Sequence, residues 1–163
     1  WCWLGLWVSF SVDVIDDTLS PTKDFSGRGL TDRDTTLWGS WVINAQQNKV
    51  FFSGDSGYFN GFKEIGERYG PFDFTMIETG AYNDLWSDIH MFPEQSVQAH
   101  IDVQGKVMMP IHNSTFDLSM HDWNEPMQRA LDISEERGVT LVSPEIGQRL
   151  ALAKPQPVKA WWQ

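Results

Sequence analysis

The chain has 163 residues, enough for one domain with its own core, and carries 22 acidic against 12 basic side chains, a net charge of −10. That balance argues against sequence-independent binding to DNA or RNA, which needs a basic surface, and disfavours electrostatic docking on anionic lipid. A single cysteine, Cys2, leaves no intrachain disulfide and suits a reducing, cytoplasmic compartment.

Residues 1–10 are apolar but far shorter than the ~20 residues that span a bilayer, and they lack the flanks of a signal peptide. They read as a buried strand interrupted by Gly5, and a start at Trp1 rather than Met is expected of a segment of a longer product. Residues 11–19 read as a short edge strand, and the polar, Gly-rich stretch 20–36 as a long loop of the kind that is often functional. Residues 37–43 and 49–53 are expected strands around a hairpin-like turn at 44–48. A helix follows over 59–69, with Phe59, Phe62, Ile65 and Tyr69 on one face and Gly70-Pro71 as its stop. Strands over 72–78, 106–111 and 139–143 alternate with helices over 93–104 and 125–137. That alternation predicts an α/β domain with a mixed sheet and flanking helices, organised as a single unit over 1–163.

Two apolar runs end in a side chain able to ligate a metal: Val50 to Gly54 leads to Asp55, and Lys106 to Ile111 leads to His112. Ligands and metals gather at the open ends of such strands, and carboxylate and imidazole both suit zinc. Two ligands do not complete a catalytic zinc site, which takes about three from protein plus an open position. Asp55 has a second reading, the N-cap or turn aspartate common before a helix. His90, in the loop entering the second expected helix, could donate a proton to a substrate oxygen or hydrogen-bond its own loop. His100 falls on the apolar stripe of that helix with Val97 and Ile101, where a packed, hydrogen-bonded core histidine is expected. His121, beside Asp122, reads as a surface or helix-entry residue. No Gly-x-Ser-x-Gly or phosphate-cradling glycine loop occurs.

Taken in order, Phe25-Ser-Gly-Arg-Gly-Leu-Thr-Asp-Arg-Asp34, Leu37-Trp-Gly-Ser-Trp41, Phe51-Phe-Ser-Gly-Asp-Ser-Gly-Tyr58, Gly80-Ala-Tyr82, His90-Met-Phe-Pro-Glu-Gln95 and Pro110-Ile-His-Asn-Ser-Thr-Phe116 resemble the metallo-β-lactamase-fold hydrolases. The resemblance is to the branch related to N-acyl-phosphatidylethanolamine phospholipase D and covers about residues 20–150. It implies a four-layer αββα sandwich of which this chain supplies the C-terminal half, and a site with two Zn2+ ions. It further implies a metal-bound hydroxide that attacks an ester-like centre, with a phosphodiester in a small-molecule or lipid-like substrate as the expected target. Asp55 matches the aspartate bridging both ions, His112 the last histidine ligand, and His90 a histidine that contacts the substrate's phosphate. Where the family has a further histidine ligand this chain has Asp24, a shorter oxygen donor, and the family's His-x-His-x-Asp-His cluster is absent. The chain by itself is therefore expected to turn over little. A non-catalytic half that completes its fold by association, including with a second copy, and a lactone or amide hydrolase are the competing expectations.

Overall fold

The structure, a computed structural model, describes residues 8–12, 15–23, 39–156 and 158–163. Among them seven strands form one sheet whose spatial order repeats their order along the chain. Strands β1 (Val8–Val12), β2 (Ile15–Pro21), β3 (Gly39–Ala45) and β4 (Asn48–Phe52) run antiparallel to one another. From β4 onward the pairing turns parallel, through β5 (Phe74–Glu78), β6 (Val107–Ile111) and the short β7 (Thr140–Leu141). Each parallel crossover carries a helix: α1 (Gly61–Tyr69), α2 (Pro93–Asp102) and α3 (Glu125–Arg137). Right-handed crossovers between strands added in one direction place all three helices on the same face. This is the mixed α/β sheet with flanking helices that the alternation predicts.

The core follows the pleat. Val42, Phe51, Ile77 and Met108 point to the helical face and pack with Phe62, Ile65, Val97 and Ala99. Their neighbours Val50, Phe74, Met76, Val107 and Met109 point the other way, where Val142, Leu150 and Leu152 meet them. In α1 the expected stripe holds: Phe62 and Ile65 are fully buried and Tyr69 packs at its edge. In α2 Val97 and His100 are buried, but Ile101 turns outward. Among the described residues no helix is long and apolar enough to cross a membrane.

The first strands depart from expectation. Residues 8–12 and 15–21 form two strands paired from Val8↔Leu19 to Val12↔Ile15, and β2 is interior rather than an edge. Several inward positions there are polar and satisfied across the ladder, as in Ser20 Oγ to Ser40 Oγ at 2.6 Å. A search for apolar runs passes over such positions. The turn between β3 and β4 spans only residues 46–47, because the ladder continues to Ala45↔Asn48. Residues 1–7 and 24–38, which carry the expected first strand and most of the expected long loop, lie outside the described residues.

Two close backbone approaches hold the segments that bear the candidate histidines. A Cβ on Gly57 would clash with the Asp88 carbonyl, two residues before His90. A Cβ on Gly80 would meet the His112 carbonyl oxygen at 2.5 Å and Asn113 just beyond it. Gly80→Ala is therefore expected to destabilise the fold by about 1–3 kcal/mol and to shift the His112 ring resonances; unchanged melting and unchanged His112 signals would contradict this packing.

His100 is the core histidine the stripe predicts. It is 2% exposed, and its Nδ1 lies 2.7 Å from Thr75 Oγ1. Burial lowers its pKa from 6.5 to about 4. The unfolded ring takes up a proton below pH 6.5 while the folded ring resists until about pH 4, so stability falls as pH drops through that window. The loss should approach about 3 kcal/mol. Urea denaturation across this range should show the slope in the parent chain and a flatter profile in His100→Gln.

Candidate metal centre

The apolar run Phe74-Thr-Met-Ile of β5 ends in Glu78, a carboxylate with no solvent exposure. Five hydrogen bonds fix it. Its main-chain N–H donates to Ser53 Oγ at 2.9 Å, and its carbonyl accepts from Ser96 Oγ at 2.6 Å. Oε2 accepts the Met91 N–H at 2.9 Å; Oε1 accepts the Gly80 N–H at 3.3 Å and His90 Nδ1–H at 3.2 Å. One residue, through its main chain and its carboxylate, thus joins the ends of β4 and β5 to the start of α2.

His90 is delivered by the loop after β5. Asn83 Oδ1 accepts the Leu85 N–H at 3.0 Å, capping a 3-10 turn over Asp84–Trp86, and Trp86 Nε1 donates to the Ala81 carbonyl at 2.7 Å. His112 leaves the end of β6 with φ of +63°, and Ala81 and Ser114 are also left-handed, at +55° and +61°. Non-glycine residues held there cost of order 1–3 kcal/mol each and gather at functional sites. The His90 and His112 rings stack with centroids 5.2 Å apart and planes 23° from parallel. His112 Nδ1 stands 3.8 Å from Glu78 Oε1, too far for a hydrogen bond.

Burial pushes the Glu78 carboxyl pKa upward, while the His90 hydrogen bond, the Met91 N–H and the two imidazoles pull against it. One ligand atom each from Glu78, His90 and His112 lies within 4.8 Å of the other two, the one such group among the described residues. Two imidazoles and a carboxylate suit a divalent ion of borderline softness such as zinc, so the donor set fits the expected metal.

Of the residues singled out in the sequence, the structure brings His90 and His112 together. Asp55 is exposed in the bend after β4 and stands outside that cluster. Nor is it the N-cap of α1, a position occupied by Asn60. Asp24 lies outside the described residues; the chain just before it is tied to the Asp55 loop, where the Gly57 N–H donates to the Lys23 carbonyl at 2.8 Å. His121 is more enclosed than a surface residue: its ring stacks on Tyr82 at 4.3 Å, and Nδ1 donates to the Asp122 carbonyl at 2.9 Å. Glu78 escaped sequence reasoning, although the signal was present. β5 also ends in a ligating side chain, the rule that selected Asp55 and His112.

Residues 3–113 match a family described as the beta-lactamase superfamily domain. The chain is 42% identical over 158 residues to an uncharacterized protein of Mycobacterium tuberculosis, covering 95% of this chain and 42% of that protein. It is 31% identical over 121 residues to N-acyl-phosphatidylethanolamine-hydrolyzing phospholipase D 1 of Caenorhabditis elegans, covering 72% of this chain and 34% of that protein. In fold it is similar to Igni18, a metallo hydrolase of Ignicoccus hospitalis, with a TM-score of 0.68 at 20% identity over 88% of this chain and 57% of that one. The chain thus spans about two fifths of the length of the mycobacterial relative, and its sheet with one helical layer corresponds to half of the αββα sandwich. With more than half of its residues matched, the chain belongs to the beta-lactamase superfamily, within the metallo-β-lactamase fold.

Proposed function

We propose that this chain supplies one flank of the site of a metal-dependent hydrolase acting on phosphodiesters in small or lipid-like molecules. The observation that carries this reading is the cluster of Glu78, His90 and His112 where β5 and β6 end. In this reading His112, together with Asp55 from outside the cluster, holds divalent metal, taken to be Zn2+, with Asp24 as a weaker third ligand. Metal bound there supplies water of lowered pKa and offsets negative charge as the ester bond breaks. His90 orients the phosphate or protonates the leaving oxygen, with Glu78 fixing its Nδ1 as a donor.

A cavity of about 320 Å³ adjoins His112 on the side of the β6–α3 loop. Phe116, Leu118 and Trp123 line it and are otherwise exposed, which supports an apolar group on the substrate. The phosphodiester preference leans on the phospholipase D relative, whose printed activity is that protein's own. A reducing compartment is part of the reading and rests on the single cysteine.

A second reading, a non-catalytic half that acts by association, is favoured by one surface. Leu19, Trp41, Phe52, Met76 and Met109 lie in register across five strands on the face away from the helices, and each is only half-buried. Apolar rows of that extent mark surfaces that other layers cover.

Asp55→Asn should lower zinc-dependent hydrolysis of bis(p-nitrophenyl) phosphate more than about 100-fold, since a ligand should matter at least as much as outer-shell partners do. Stoichiometric zinc with turnover that is lost in the variant supports the hydrolase. Neither zinc uptake nor turnover in the parent chain, combined with self-association in sedimentation, supports the second reading.

A further inference from the structure

The cavity beside His112 has a polar feature that its apolar lining does not account for. His121 forms part of the wall, alongside Phe116, Leu118 and Trp123. Its imidazole is fixed twice. One face stacks on the Tyr82 ring, with centroids 4.3 Å apart and planes 26° from parallel, and Nδ1–H donates to the Asp122 carbonyl at 2.9 Å. Tyr82 is itself held: it is buried, its hydroxyl donates to Glu125 Oε1 at 2.7 Å, and Arg129 Nη1 donates to that hydroxyl at 3.2 Å. With a proton on Nδ1, the neutral imidazole carries a lone pair on Nε2. That nitrogen is closed off from solvent and has no hydrogen-bond partner among the described residues. A buried acceptor left unpaired destabilises the fold, so its retention asks for a partner that binds there. The same cavity is lined by three of the four non-glycine residues with positive φ among the described residues, Ala81, His112 and Ser114. Strain of that kind gathers at ligand clamps and active sites.

We propose that His121 Nε2 accepts a hydrogen bond from the substrate, and that the cavity takes an apolar group bearing one hydroxyl or N–H. His121 thereby sets specificity by direct contact; no bond is made or broken at it. The inference rests on the hydrolase reading and narrows its substrate class: the part of the ester seated beside His112 is amphipathic rather than a plain hydrocarbon. Phe116 and Leu118, 74% and 64% exposed, are not held by packing, and a ligand reaches the nitrogen by displacing them. The imidazole need not move, since Tyr82 and the Asp122 carbonyl already orient it, and binding to a preset acceptor loses little entropy. An analogue without the donor fills the same space but leaves Nε2 buried and unpaired, which is how a polar site rejects it. The apolar side chains thus supply affinity, and one nitrogen supplies the choice.

The test reads binding, so it does not depend on turnover. The full chain, with its histidine ring nitrogens labelled for NMR, is titrated with n-hexanol and with methyl n-pentyl ether, isomers that differ in the O–H donor. At about pH 8, above the ordinary imidazole range, His121 Nε2 is expected to resonate as an unprotonated nitrogen and to move upfield with the alcohol alone. The alcohol should bind about 3–10-fold more tightly than the ether. His121→Phe keeps a ring against Tyr82 and should abolish that preference, while His121→Gln returns an acceptor and should restore part of it. Circular dichroism confirms that each variant is folded. Should His121→Phe not fold, the Nε2 resonance of the parent chain decides the matter: movement with the alcohol alone supports the contact. Equal affinity for the two isomers, binding of neither, or a proton on Nε2 in the free chain overturns it. A preference for the alcohol that survives in His121→Phe overturns it too. Preference for the alcohol in a chain with no diester turnover upholds the acceptor and removes the hydrolase reading. Diester turnover without that preference does the reverse.

Discussion

A carboxylate sealed from water is the constraint around which this half-sandwich is arranged. Glu78 sits at the end of β5 with every oxygen engaged; beside the adjacent Gly80, its partners come from the end of β4, the loop carrying His90 and Met91, and α2. Moving any one of them would leave a buried acceptor or donor unpaired, at about 1–3 kcal/mol for each group. The end of β4, the loop carrying His90 and the entry to α2 are therefore positioned together. Hydrophobic packing between sheet and helices supplies the bulk of the stability, but it is non-directional. Directional bonds to Glu78 set the angles at the strand ends where chemistry would occur.

A second tier of constraints comes from backbones that approach too closely for side chains. Gly57 and Gly80 let the His90 and His112 segments settle against their neighbours. Behind them, the Tyr82 hydroxyl donates to Glu125 Oε1 at 2.7 Å while Arg129 bridges Glu125 and Glu94 at 3.0 and 2.6 Å. That network joins α2 to α3 below the cleft wall. Exposed ion pairs contribute little singly, but here several share one guanidinium and the hydroxyl of a buried tyrosine.

Much of this was legible in the residues. Strand–helix alternation and the 3.6-residue stripe of α1 follow from hydrophobic spacing, and Gly138, at φ of +68°, ends α3 where the sequence places it. His112 and His90 were visible as ligating side chains at a strand exit and a loop. The first two strands were harder, because Thr18, Ser20 and Ser40 are buried through pairing across the sheet rather than through apolarity. Glu78 carried the same strand-end signal as Asp55 and His112, and its tertiary contacts show how its carboxylate is buried.

The order of the sheet carries a consequence for how the molecule is made. Because strands pair in the sequence in which they are synthesised, each one meets a template already complete, and no pairing waits for a distant segment. The longest separations between paired strands are those bridged by single helices, as in Thr75 with Met108. Such topologies keep loop-closure entropy modest. The stretch from Glu78 to His112 contains all three residues of the cluster, and α3 and β7 follow it in the chain.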